Sequence, residues 1–166
     1  MSATAKATAS SGSVNARLKE LGLTLPEAKA PAGALYVPFT ISGNQVIISG
    51  QLPFKNGQLV ATGQVGGKAT QVEAEAAAYA CAVNVLSCLN TAVGGNLDKV
   101  KKTLKLEILV SVTPQFTSPQ LVANSASKLI IDLFGEEKGR HARVAYGVAS
   151  LPLDASVEVA ATFEIE

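Results

Sequence analysis

Tryptophan is missing from this 166-residue chain, and histidine and methionine occur once each. Aromatic residues make up only 5%, a poor supply for a platform that stacks nucleic-acid bases. One histidine, His141, and two cysteines cannot furnish a His/Cys zinc site. That histidine sits beside two arginines in GRHAR, which speaks against a Ser-His-Asp or Cys-His nucleophilic device. Charge is equally sparse: 14 Lys+Arg stand against 13 Asp+Glu, a net charge of +1. No basic stripe marks a nucleic-acid or anionic-membrane binder. A continuous run of ~20 apolar residues is not found, so no membrane span is expected. Gly63, Gly66 and Gly67 precede a helix without the Lys-Ser/Thr of a phosphate loop. The pair Asn124 and Ser125 resembles no ligand cluster. The first residues, MSATAKATASSGS, lack the apolar stretch of a secretory signal. Residues 1–13 are expected to be a disordered tail on a cytoplasmic protein. Their acid-free, Ser/Thr/Ala-rich composition leaves an organelle address as the other reading.

What is present is apolar. The hydrophobic fraction of 48% excludes a disordered polar chain, and the length suits a single domain over 14–166 with a real core. Val14–Leu23 reads as a short helix stopped by Gly22. Ala34–Ile41 and Gln45–Ser49 read as strands around the turn Ser42-Gly43-Asn44, with Pro38 placing the first at an edge. Thr70 followed by Glu73 forms a capping box. Behind it Val72, Ala76, Tyr79, Ala80, Val83, Leu86 and Leu89 recur at helical spacing, up to Gly94-Gly95. On that helix Cys81 and Cys88 stand seven residues apart, about 10 Å along the axis, too far to bridge; both are expected to be buried thiols.

Next, Leu104, Leu106, Ile108, Val110 and Val112 alternate as one face of a strand. Ser118-Pro119 opens a second helix, carrying Leu121, Val122, Leu129, Ile130 and Leu133, with Gly135 as its stop. Ala142–Leu151 and Val157–Ile165 complete the pattern as strands. The order ββαβαββ suits an α+β (α/β-like) fold: one mixed sheet with two helices on one face. In the last strand Val157, Val159, Ala161, Phe163 and Ile165 share one face, while Glu158, Ala160, Thr162 and Glu164 share the other. The second sheet face is then expected to pack against another copy of the chain.

A few polar residues interrupt these apolar strands: Ser49-Gly50-Gln51, Arg143 and Glu158. From residue types alone, Arg143 and Glu158 read as a structural ion pair or as parts of a binding site. Their surroundings carry a resemblance. ALYVPF is followed, thirteen residues after Tyr36, by Ser49-Gly50-Gln51; the strand TLKLEILVSV and the run FGEEKGRHARVAYGVASLPLDASVEVAATFEIE complete the pattern. From about Lys19 to Glu166 the chain resembles the YjgF/YER057c/UK114 family. The family is also called Rid (reactive intermediate deaminase) or endoribonuclease L-PSP, and the chain resembles its longer branch.

That resemblance implies a chorismate mutase-like fold and a homotrimer whose sheets line a barrel-like core, with a cleft between each pair of subunits. In deaminase members each cleft binds a small 2-imino or 2-enamino acid, and water hydrolyses it to a 2-keto acid and ammonia. By position, Arg143 would hold the ligand carboxylate and Glu158 would orient the attacking water. Tyr36 and Ser49 would line the cleft, and Ala145 stands where family deaminases often carry a cysteine among backbone groups that touch the ligand. A planar guanidinium suits a carboxylate through two parallel bonds, and a carboxylate near it would stay ionised. Hydrolysis of a reactive imine requires no metal or cofactor. VTPQFTSPQLVAN departs from the loop that supplies an asparagine in shorter members, and Asn124 is near the matching place without occupying it. A non-catalytic small-carboxylate-binding or regulatory trimer is the alternative. An endoribonuclease or translation inhibitor is the third reading, with weaker support from charge and aromatics.

Overall fold

The computed structural model describes residues 12–166. The expected tail over 1–13, and its reading as an address, lie outside the described residues apart from Gly12 and Ser13. Ser13 caps the first helix, α1 (Val14–Glu20), its side chain accepting from the Ala16 N–H at 3.1 Å. The rest of the chain runs β1 (Phe39–Ser42), β2 (Gln45–Gln51), β3 (Phe54–Lys55), β4 (Gln58–Leu59), α2 (Gln71–Ala92), β5 (Val100–Ser111), α3 (Pro119–Gly139), β6 (Ala142–Val148) and β7 (Val157–Ile165). Five strands form one mixed sheet in the order β1-β2-β7-β5-β6, in which only β5 and β6 run parallel. The parallel pair needs a crossover, and α3 supplies it. β3 and β4 form a separate hairpin whose turn, Asn56 (φ 51°) and Gly57 (φ 77°), has both central residues left-handed.

The expected architecture is present, with α2 and α3 packed on one sheet face. Val46, Ile48, Leu106, Ile108, Val110, Val157, Val159 and Phe163 meet the helices there and are buried. β7 keeps the alternation expected of it from Val157 to Glu164, with Ile165 only half-buried at its end. The Thr70 capping box is formed: Glu73 accepts from the Thr70 N–H at 2.8 Å, and Thr70 accepts from the Glu73 N–H at 3.2 Å. Cys81 and Cys88 are buried free thiols.

Five details depart from the sequence reading. Residues 34–38 are loop and the first strand starts at Phe39, because Pro38 has no N–H to donate to a ladder. The sheet-facing stripe of α2 is Ala74, Ala77, Ala78, Cys81, Val85, Leu86 and Leu89. Val72, Ala76 and Tyr79 lie on a second, exposed face. Helical periodicity fits either face when both are apolar. Register shifts between Val100 and Lys105 push Leu104 half out of the core and bury Thr103 in its place. Gly135 (φ 80°, ψ 172°) kinks α3 without ending it, and the helix resumes to Gly139. Finally, α2 is long and apolar enough, by length and composition, to cross a membrane, a property that its interrupting Glu73, Glu75 and Asn84 hide from a count of continuous apolar residues. Here it is the core helix, lying mostly inside the protein.

Phe163 is fully buried in β7, with its ring tilted against Phe134 of α3 at 6.2 Å between centroids. It ties the sheet to the helix layer. Phe163→Ala should cost about 3–5 kcal/mol of unfolding free energy, read from urea titration. The thiols offer an independent check on the layer. Burial raises both above the ordinary cysteine range, Cys88 to about 11, so neither should react with iodoacetamide at neutral pH until the protein is unfolded.

Candidate active site

β7 presents Glu158 on the face opposite Val157 and Val159. In register it lies beside Leu109 of β5, which in turn lies beside Tyr146 of β6. On its other side β2 is irregular between Ile48 and Gln51, and the carboxylate turns toward Gly50. A Cβ at Gly50 would stand 2.1 Å from Glu158 Oε1, so a larger residue there would displace the carboxylate from this place. Burial pushes the Glu158 carboxyl above its ordinary range. Glu158 lines an open cavity of about 1290 Å³ together with Tyr36, Gln51, Tyr79 and Leu153. The misassigned face of α2 forms part of this wall. Leu153 (φ 58°) and Asp154 (φ 59°) are consecutive left-handed residues just before β7, an unfavourable backbone for a residue as bulky as leucine. Leu153 is largely exposed at the rim.

Tyr36 is half-exposed in the loop before β1. Ser49 holds that loop: its hydroxyl donates to the Val37 carbonyl at 2.7 Å, and its N–H to Pro38 O at 3.0 Å. The hydroxyl expected to line a cleft is thus committed to positioning the segment that carries Tyr36.

Arg143 lies elsewhere. It is exposed on β6, the outer strand of the sheet, in register with Leu106, Ala161 and Ile48, all of which face the helices. Its guanidinium lies against α3, where Nη1 donates to Asn124 Oδ1 at 2.9 Å and Ser127 Oγ at 3.2 Å. Nη2 reaches the Gln120 carbonyl at 3.4 Å. Ala145, two residues on, shares that side of the strand and packs half-buried against the core. Arg143 and Glu158 therefore lie on opposite faces of one sheet, and among the described residues they form no salt bridge. This removes the ion-pair reading. It also corrects the expectation that a nearby arginine keeps Glu158 ionised: within one chain, burial acts alone and in the opposite direction.

Beside Arg143, His141 Nδ1 lies 2.6 Å from the Gly139 carbonyl, and Nε2 lies 3.0 Å from Ser127 Oγ. Burial holds this imidazole below its ordinary range, opposed by the Gly139 hydrogen bond and helped by the positive charges of Arg143 and Lys102. Sequence reasoning missed these partners. Asn124 and Ser127 stand three residues apart and so share a helix face, but nothing in sequence shows that β6 pairs beside that face. Ser125, paired with Asn124 in the sequence reading, lines the cavity. Among the described residues no group of three His, Cys, Asp or Glu side chains could hold a metal ion.

A mixed five-stranded sheet under two long helices, with a glutamate beside a glycine in its second strand and an arginine on its outer strand, defines the class. Residues 15–164 match the family described as "YjgF/chorismate mutase-like, putative endoribonuclease". The chain belongs to this family. It is 50% identical over 155 residues to Protein TCP17 of Trypanosoma cruzi, covering 93% of this chain and 96% of that protein. The crystal structure of Atu1372 from Agrobacterium tumefaciens, a protein of unknown function, is similar at 48% identity. It has a TM-score of 0.85, with 92% of each chain covered. TdcF of E. coli, crystallised with bound serine, shares the fold at 21% identity and a TM-score of 0.56, over 86% of this chain and 94% of its own.

The burial of Glu158 has a thermodynamic consequence. Its folded-state pKa lies above the unfolded value, so protonation favours the fold. The stability gained is complete below the unfolded pKa and is lost as pH rises through the raised one. Glu158→Gln keeps the shape without the desolvated charge. The subunit should therefore melt higher than wild type at pH 7, with the gap closing as pH falls toward about 4. A lower melting temperature at pH 7 would defeat the reading of Glu158 as a net desolvated, destabilising charge in the folded protein.

Proposed function

We propose that the protein is a Rid-type deaminase. It would hydrolyse reactive 2-imino and 2-enamino acids to 2-keto acids and ammonia in clefts between the subunits of a homotrimer. Family membership supports a Rid-like or endoribonuclease-like role. One observation carries the finer reading: the site residues implied by the resemblance are divided between two separate, open places on a single chain. Tyr36 and Glu158 stand at the cavity, Arg143 and Ala145 at the outer strand on the other face of the sheet. Two neighbouring copies can bring one set against the other. The uncovered sheet face supports assembly, with Ile47, Val144 and Tyr146 exposed around Leu109, Ala160 and Thr162. The serine in TdcF is a small amino acid carrying the carboxylate such a site would hold.

In this reading Arg143 binds the substrate carboxylate and so fixes the adjacent imine carbon. With the imine nitrogen protonated, Glu158 accepts a proton from water as its oxygen bonds to that carbon, giving the neutral carbinolamine. Glu158 returns that proton to the nitrogen and then takes the hydroxyl proton as the C–N bond breaks; ammonia leaves, the 2-keto acid remains, and the last proton passes to ammonia or solvent. A carboxyl with a raised pKa suits both halves of this exchange, since it holds the proton long enough to return it. No cofactor enters the balance.

The test generates 2-iminopropanoate with an amino-acid oxidase and follows its decay. The wild type should accelerate decay and scatter light as a particle of about 51 kDa, three copies of the 17.0 kDa chain. Arg143→Ala should lower kcat/KM by about 100-fold with the particle mass unchanged, and Arg143→Lys should recover little of it. A monomer at micromolar concentration would defeat the intersubunit site. Full activity in Arg143→Ala would defeat the role of the arginine. Absence of acceleration across several imino acids would leave the protein a carboxylate binder or ribonuclease.

A further inference from the structure

Arg143 sits on an exposed edge strand, where a long side chain ordinarily samples many rotamers. Its contacts on α3 are ordered in a way the deaminase chemistry does not require. A guanidinium has five N–H bonds, and here three are directed at α3: two from Nη1, to Asn124 Oδ1 and Ser127 Oγ, and one from Nη2, to the Gln120 carbonyl. Gln120, Asn124 and Ser127 follow one another along one face of α3, so the Nη2–H that serves Gln120 is taken as the one next to Nη1; the Nε–H and the other Nη2–H then form one edge of the planar group. That edge is the fork which fits a carboxylate with two parallel bonds.

Ser127 is itself oriented. The Gly139 carbonyl can only accept, so His141 Nδ1 carries the proton in their 2.6 Å contact. In the neutral ring Nε2 is then an acceptor, and the Ser127 hydroxyl must donate to it across 3.0 Å. With its proton so committed, Ser127 Oγ turns a lone pair toward Arg143 Nη1. Asn124 likewise must present its oxygen, not its amide nitrogen, to the arginine.

We propose that Asn124, Ser127 and His141 are positioning residues. They clamp the far end of the Arg143 guanidinium on α3, so that its Nε–Nη2 edge is preset for side-on, bidentate capture of a 2-keto or 2-imino acid carboxylate. The clamp deepens the reading of Arg143 as the carboxylate holder and rests on it for the ligand. The order of the guanidinium is a property of the chain alone.

Two measurements separate the clamp from that reading. Side-chain 15N NMR of the wild type without ligand should show Arg143 Nη1 and Nη2 as distinct resonances, because the clamp slows rotation about Nε–Cζ. Ser127→Ala and His141→Leu should average them, while His141→Gln, whose side-chain oxygen can accept from Ser127, should keep them apart. Calorimetry with 2-oxobutanoate should then give a Kd about tenfold weaker in Ser127→Ala and Asn124→Ala, the loss of roughly one charge-assisted hydrogen bond. His141→Gln should bind near wild type. In turnover the loss should fall on KM and leave kcat largely intact. Averaged Nη signals in the wild type would overturn the clamp whatever the activity. So would equal affinity across the variants when Arg143→Ala abolishes binding. Distinct signals with no 2-oxobutanoate binding in any form would uphold the preset guanidinium and locate the failure in the assigned ligand.

Discussion

Alternation along β7 is the constraint on which the rest of the molecule depends. The strand lies between β2 and β5, so its side chains decide what both neighbours must do. Val157, Val159, Ala161 and Phe163 turn one way and need the alanine-rich side of α2 and the apolar side of α3 to cover them. Glu158, Ala160 and Thr162 turn the other way, away from both helices. A slip of one residue would send Glu158 into the helix layer and Phe163 into water. The same period that builds the core therefore places the acid at the cavity.

Much of this was legible in the sequence. The period of two in Val157–Ile165, the Thr70/Glu73 box and the proline at the start of α3 are local signals, and local signals survive folding. The two faces of α2 were less legible. Alanine is small enough to pack anywhere, so Val72, Ala76 and Tyr79 looked as much like core as Ala74, Ala77 and Ala78 did. Which face met the sheet was a tertiary decision. The bulge that exchanges Leu104 for Thr103 was invisible for the same reason: it follows from pairing with β7 and not from the composition of β5.

The candidate site was named by resemblance and not by physics. Residue types alone favoured pairing Arg143 with Glu158, since an arginine and a glutamate in half-buried strands usually meet. Register forbids it. Counting from Leu106 puts Arg143 on the helix side, and counting from Leu109 puts Glu158 on the open side. No spacing rule applied to a single strand carries that information, because the two strands are joined only through β5.

A charge on a sheet with no opposite charge beside it is costly, and the molecule handles two such charges differently. Glu158 is tucked beside Gly50, half out of water, where burial opposes its ionisation. Arg143 stays at the solvent edge but surrenders its rotational freedom to acceptors on α3. In the proposed cleft the acid would thereby be ready to take a proton, and the guanidinium would present a fixed fork. Neither arrangement stabilises an isolated subunit in an obvious way: one strands a carboxylate, and the other orders a side chain that solvent would leave free. Both become useful when something negative reaches Arg143 and something that gives up a proton reaches Glu158. An imino acid and a water molecule answer that description in the proposed cleft, and two copies of the sheet, meeting edge to cavity, would bring them together.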